Sequence, residues 1–133
     1  RVMKSRDPLI RLKRFQADEK RRRVSQIEAM IAEFSRMQTE LDREIATEEQ
    51  RSGNADPSHF AYSTYARAAR GRRDNITNSA NELRAQLEEA KLQLEAAVEE
   101  LAKVQNLEGR DKSGERLVDD PRPDAMMLRP AGA

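Results

Sequence analysis

The sequence contains no cysteine and no tryptophan. Without thiols nothing staples the fold, and neither thiol catalysis nor a zinc-thiolate site is available, which fits a reducing compartment. Aromatic residues make up 4% of the 133 residues and hydrophobic residues 37%. That is too little bulky apolar material for a multilayer core, so a seam between helices is what the chain can bury. No apolar run approaches the ~18 residues of a membrane span. The basic N-terminus is not followed by the apolar core of a signal peptide, so a cytoplasmic location is expected.

Proline and glycine are sparse, five of each, and their positions punctuate the chain. Ser52-Gly53-Asn54-Ala55-Asp56-Pro57 reads as the turn of an antiparallel hairpin. Gly53 suits a helix C-terminus with positive φ, Asp56 an N-cap and Pro57 a first helical position. Asp7-Pro8 opens the first helix in the same way, and Gly109 closes the second. The expected fold is therefore all-α, a long two-helix antiparallel coiled-coil hairpin. Residues 1–7 form a flexible N-terminus, followed by helix 8–52, turn 53–56, helix 57–108 and a disordered C-terminal tail 109–133. Helices of 45 and 52 residues would be roughly 68 and 78 Å long.

A net charge of only +1 conceals segregation along the chain. Residues 1–23 carry +7, 24–56 carry −5, 57–81 carry +3 and 82–108 carry −4. Folding back at Gly53 lays the basic start along acidic 82–108, and acidic 24–56 along basic 57–81. Exposed pairs contribute little individually, but the opposite orientation would set like charges together.

In the first helix Val24, Ile27, Ile31, Phe34, Gln38, Leu41, Ile45 and Glu48 follow the 3-4 spacing of a heptad seam. Leu9, Leu12 and Phe15 are off this register, implying a stutter near Lys20-Arg21-Arg22-Arg23. The second seam runs Tyr62, Ala66, Ala69, Arg73, Ile76, Ala80, Leu83, Leu87, Ala90, Leu94, Ala97, Leu101 and Val104. Pairing partners whose numbers sum to 107 satisfies every layer, setting Ile45 against Tyr62 and Val24 against Leu83. Phe34 then faces Arg73, whose guanidinium must snorkel.

Few residues suggest chemistry. Gly109 to Gly114 has phosphate-loop spacing, but Glu115-Arg116 stands where Lys and Ser/Thr are required. His59, the single histidine, falls opposite Glu48 and is expected to pair with it rather than to hold a metal. No catalytic, metal or cofactor site is expected, and no enzyme activity. The basic residues Arg11, Lys13, Arg14, Arg21, Arg22 and Arg23 read either as a patch for nucleic acid or an anionic surface, or as neutralisation of the acidic second helix. The neutralising reading is preferred because only Phe15 interleaves as an aromatic. Phe60, Tyr62 and Tyr65 crowd the start of the second helix, as a docking site or as a plug closing the hairpin. Ala125-Met126-Met127-Leu128 is an apolar island in the tail.

The stretches Met3-Lys4-Ser5-Arg6-Asp7-Pro8-Leu9, Phe15 to Arg22, Gln26 to Phe34 and above all Asp56-Pro57-Ser58-His59-Phe60-Ala61-Tyr62 resemble the FliJ family. These are coiled-coil components of the bacterial flagellar type III export apparatus. The resemblance covers roughly residues 3–108 and is closest to alphaproteobacterial members. It implies a hairpin similar to the central stalk of rotary ATPases, non-catalytic and without cofactors, peripheral to the inner membrane at the flagellar base. The implied partners are the hexameric export ATPase, the cytoplasmic domain of the export gate membrane protein and substrate chaperones, but no nucleic acid. Carried onto this sequence, the gate and chaperone patch falls on Leu41, Ile45, Tyr62, Tyr65 and Ala69. Glu44 and Glu48 stand where some relatives have larger apolar residues. The free ends, with Arg11, Lys13, Arg14 and Arg21 to Arg23, would meet the ATPase ring.

Overall fold

A computed structural model describes the backbone of residues 2–119 and the side chains of residues 6–110. Among the described residues all regular structure is helical. Helix α1 runs Val2–Ser52 and helix α2 runs Thr64–Asp119, and the two pack against each other as an all-α helical hairpin. No helix among the described residues is long and apolar enough to cross a membrane. The chain divides into two compact units. One is residues 19–94, which hold the connecting turn; the other combines residues 1–18 with the chain from 95 onward.

The turn begins where the glycine places it. Gly53 has φ +75°, and its N–H donates to the Gln50 carbonyl at 3.3 Å while the Asn54 N–H donates to the Glu49 carbonyl at 3.2 Å. This pair of bonds is a Schellman motif, which satisfies carbonyls that the end of α1 would otherwise leave open.

The second helix starts seven residues later than the Asp56-Pro57 pattern implies, at Thr64 and not at Pro57. Asp56 does cap a turn, its Oδ1 accepting from the Ser58 N–H at 3.0 Å and the Ser58 hydroxyl at 2.7 Å, but that turn is not propagated. The His59 Nδ1 accepts the Ala61 N–H at 3.0 Å. Ser63 then supplies the effective cap, its Oγ accepting from the Ala66 N–H at 3.1 Å, and the Arg67 N–H closes the first α turn on the Ser63 carbonyl at 3.0 Å. A serine bonding three residues ahead is a strong N-cap. The chain enters α2 there.

The longer connection moves the register. Tyr62–Glu49 and Ser63–Glu48 are both bonded across the hairpin, with numbers summing to 111, and Lys20–Gln93 sums to 113. The helices are thus antiparallel, but slipped by four to six residues from the 107 rule, at least one seam layer. Ile27 shares a buried cluster with Leu83 and Ala90, flanked by Val24, Ile31, Phe34 and Leu87. Leu41, Ile45 and Ala69 form a second, with Ile76. Phe34 therefore packs among aliphatic residues instead of under Arg73. Arg73 does snorkel, to Asp42 and Asp74 at 3.1 Å each.

All thirteen seam positions expected in α2 are buried or half-buried, and the 3-4 spacing continues to Glu108. In α1 the expected stutter is absent. Ile10 and Ala17 are buried, Lys13 and Lys20 half-buried, and this spacing runs without interruption into Val24 and Ile27. Leu9, Leu12 and Phe15 remain exposed. One unbroken helix presents a single stripe to its partner, and here basic side chains occupy alternate layers of that stripe. Their stems lie along the seam while their heads reach out, as in Lys13–Glu100 at 3.6 Å.

Both helices also exceed their expected ends. Helix α1 includes the 2–7 stretch, with Pro8 inside it, and its half-buried Arg6 continues the seam one step upstream of Ile10. Helix α2 passes through Gly109 to Asp119, because a helical glycine costs only about 1 kcal/mol. Residues 120–133 of the expected tail, including the Ala125–Leu128 island, lie outside the described residues.

At Gly53 an added Cβ would meet nothing within 4 Å, so only the left-handed backbone opposes substitution. Gly53→Ala is expected to destabilise the hairpin by about 1 kcal/mol, read as a lower urea midpoint with an unchanged slope.

Candidate functional site

Of the three clustered aromatics, Tyr62 is the plug. Its ring is buried, 5% exposed, and its hydroxyl donates to Glu49 Oε2 at 2.6 Å. Arg67 lies over its face, 5.3 Å from the ring centroid, and Arg70 approaches the same Glu49 carboxylate at 3.7 Å. Burial first, and then the Glu49 carboxylate, hold the phenol above its ordinary value.

Tyr65 has a mixed role. Its hydroxyl donates to Glu44 Oε1 at 2.5 Å, and this bond first, with the carboxylate's charge, raises its pKa. Its ring is nevertheless 52% exposed. It forms one wall of a shallow groove of about 430 Å³ completed by Arg43, Glu44, Thr47, Glu48 and Arg51. Glu44 and Glu48 are polar latches here. Glu48 accepts the Ser63 hydroxyl at 3.1 Å and pairs with Arg51 at 3.5 Å.

Phe60 is the aromatic left for solvent, 94% exposed. Its ring stacks on His59 with centroids 4.7 Å apart, and the segment carrying it is fixed by short-range bonds. The His59 N–H donates to the Asp56 carbonyl and the Tyr62 N–H to the His59 carbonyl, at 3.0 and 3.1 Å. The Asp56 N–H donates to Asn54 Oδ1 at 3.0 Å. Ser58, whose side chain and N–H bond the Asp56 carboxylate, holds that group below its ordinary pKa. His59 is thus engaged within the turn and does not pair with Glu48.

The expected gate and chaperone patch separates into two groups. Leu41, Ile45, Tyr62 and Ala69 are all buried, where they hold the helices together, and only Tyr65 offers a surface. Phe60 is the other exposed aromatic beside the turn. Its signal in the sequence is that it lies beside the turn and outside the seam. Among the basic residues expected at the free ends, Arg11 and Arg14 are exposed while Lys13 is half-buried and paired. Arg21, Arg22 and Arg23 are exposed within the turn-bearing unit, Arg22 bonded to Glu19 at 2.6 Å. Glu88 pairs with Lys91 on its own helix at 3.7 Å. Among the described residues no group of three or more His, Cys, Asp or Glu is placed to hold a metal ion.

Around the turn this arrangement sets hydroxyls against carboxylates, Tyr62 on Glu49, Ser63 on Glu48 and Tyr65 on Glu44. Its class is a helical hairpin that displays one aromatic residue on a braced turn. No family model, curated protein or solved structure matches the chain.

The raised Tyr62 pKa means that the folded state favours the protonated phenol. Its contribution is complete below the ordinary value of ~10 and is lost as pH rises through the higher folded value. Urea midpoints at pH 8 should therefore be lower in Tyr62→Phe than in the parent, and by pH 11 the difference should have narrowed. A constant difference would show that ionisation of Tyr62 is not linked to folding.

Proposed function

We propose that this chain is a FliJ-type component of the bacterial flagellar type III export apparatus. In this reading it is a non-catalytic hairpin that acts as a central-stalk-like partner of the hexameric export ATPase. It also serves as an escort linking that ATPase and substrate chaperones to the export gate, peripheral to the inner membrane. The observation that carries the reading is Phe60. The stretch with the strongest family resemblance, Asp56 to Tyr62, spends its hydrogen bonds on bracing a turn whose phenylalanine is left in water. A large exposed aromatic on a rigid support has the character of a binding hot spot, because little ordering entropy remains to be lost on docking.

The gate and chaperone surface is accordingly assigned to Phe60 and Tyr65 with the groove beside Arg43, Thr47 and Arg51. The surface for the ATPase ring is assigned to Arg11 and Arg14, with Lys13 spent largely on Glu100 and Arg21 to Arg23 contributing from further along α1. A basic adaptor for nucleic acid or an anionic surface is the competing reading, and the same arginines support it.

Phe60→Ala should weaken binding to the cytoplasmic domain of an export gate protein about tenfold or more, with the unfolding midpoint unchanged, since the side chain contributes little to the fold. Reversal of Arg11 and Arg14 to Glu should lower stimulation of a purified export ATPase at low salt, where such contacts are least screened. Unchanged gate binding and stimulation, combined with salt-steep RNA binding lost in the reversed variant, would transfer the assignment to the adaptor.

A further inference from the structure

The groove beside Tyr65 carries hydrogen-bonding capacity that the fold does not use. It lies wholly within the turn-bearing unit, residues 19–94. On its α1 side Arg43, Thr47 and Arg51 recur every four residues, so they form one ladder along the helix surface, and all three are exposed. The half-exposed ring of Tyr65 walls the other side.

The two carboxylates of this groove are already engaged. Glu44 accepts the Tyr65 hydroxyl, and Glu48 accepts the Ser63 hydroxyl while pairing with Arg51. Arg43 and Thr47, by contrast, have no hydrogen-bond or ion-pair partner among the described residues. Arg51 meets Glu48 through one nitrogen at 3.5 Å and leaves the rest of its guanidinium in water, its side chain 76% exposed. Arg72 adds its positive charge near the Tyr65 hydroxyl from α2. Arg43, Arg51 and Arg72 against Glu44 and Glu48 leave the rim net positive.

We propose, on the reading that this groove is a partner surface, that its occupant is an extended acidic peptide segment of the partner, with two carboxylates flanking one apolar residue. The first carboxylate takes the planar fork of Arg43, with the Thr47 hydroxyl donating beside it. The second takes the outer nitrogens of Arg51, and the apolar side chain lies on the Tyr65 ring. Spacing selects the segment. Arg43 and Arg51 stand about 12 Å apart along α1 at ~1.5 Å per residue, and four residues of extended chain span about 13 Å at ~3.3 Å each. Residues i, i+2 and i+4 of such a chain share one face, so carboxylates at i and i+4 meet the two arginines with the apolar residue between them. A phosphate backbone fits less well, because it brings charge to every step, including those beside Glu44 and Glu48.

The probe is the peptide acetyl-Glu-Ala-Leu-Ala-Glu-amide, titrated into the nitrogen-15-labelled full chain and followed by NMR. Shifts of backbone N–H and arginine Nε–H signals should be confined to Arg43, Thr47, Arg51, Tyr65 and their neighbours. The neutral peptide acetyl-Gln-Ala-Leu-Ala-Gln-amide should bind about fivefold or more weakly, as expected when charge-assisted bonds are lost. Arg43→Gln should weaken the acidic peptide by a similar factor, and Thr47→Val should act in the same direction. Arg84→Gln should not, since Arg84 is an exposed arginine of the same unit bonded to Asn81. All three positions are exposed, so the fold should persist, and the unshifted remainder of each spectrum checks this. Phe60→Ala should leave the peptide affinity unchanged, so failure of the gate assignment and failure of this site are read separately. Equal affinity for the acidic and neutral peptides, or shifts spread equally over Arg21 to Arg23, would overturn the proposal. Tighter binding of a short single-stranded RNA in the same groove would overturn it in favour of a phosphate ligand.

Discussion

The place where α2 begins decides most of what the turn-bearing unit does. The Ser63 hydroxyl satisfies the Ala66 N–H and bonds Glu48 across the hairpin, so one side chain both starts the second helix and ties it to the first. Had α2 started at Pro57, the connection would have been four residues long and Ile45 would have met Tyr62. Starting at Thr64 advances every layer by about one turn. Tyr62 then lies against Glu49, Arg73 reaches Asp42, and Leu83 joins Ile27 in the core.

The same displacement sorts the aromatics. A seven-residue connection beyond Asp56 contains Phe60 and Tyr62 outside any regular helix. One can therefore turn inward onto Glu49 while the other points to water. The polar latches around them, Glu44, Glu48 and Glu49, replace apolar packing with hydrogen bonds to hydroxyls. These hold the first turns of α2 without consuming the exposed faces of Phe60 and Tyr65.

Much of this was legible in the sequence. The α2 seam, the glycine at the helix end, the antiparallel sense and the charge pairing all followed from periodicity and charge, which are local and additive. The misreadings share a cause. Asp56-Pro57 is a strong start signal, yet Ser63 is the cap that propagates, and which of two caps wins depends on tertiary bonds such as Ser63–Glu48. By hydrophobicity alone Leu9, Leu12 and Phe15 outweigh Lys13 and Lys20, whereas a continuous helix keeps its stripe even where the stripe holds those lysines. In the candidate site Leu41, Ile45 and Ala69, which the resemblance puts on a partner surface, occupy positions this seam buries. Phe60 is legible as an aromatic outside the seam, and the structure leaves it exposed.

Register is the point at which the account is most exposed to test. Cysteine replaces Leu83 together with either Ile27 or Val24, and intrachain disulfide formation is followed under mild oxidation in dilute protein. Both α1 positions are apolar seam residues one turn apart, so only the register distinguishes them, and disulfide geometry tolerates Cα separations of little more than about 7 Å. The pair at Ile27 and Leu83 should close at least tenfold faster than the pair at Val24 and Leu83. Faster closure at Val24 would restore the 107 register and return the start of α2 towards Pro57.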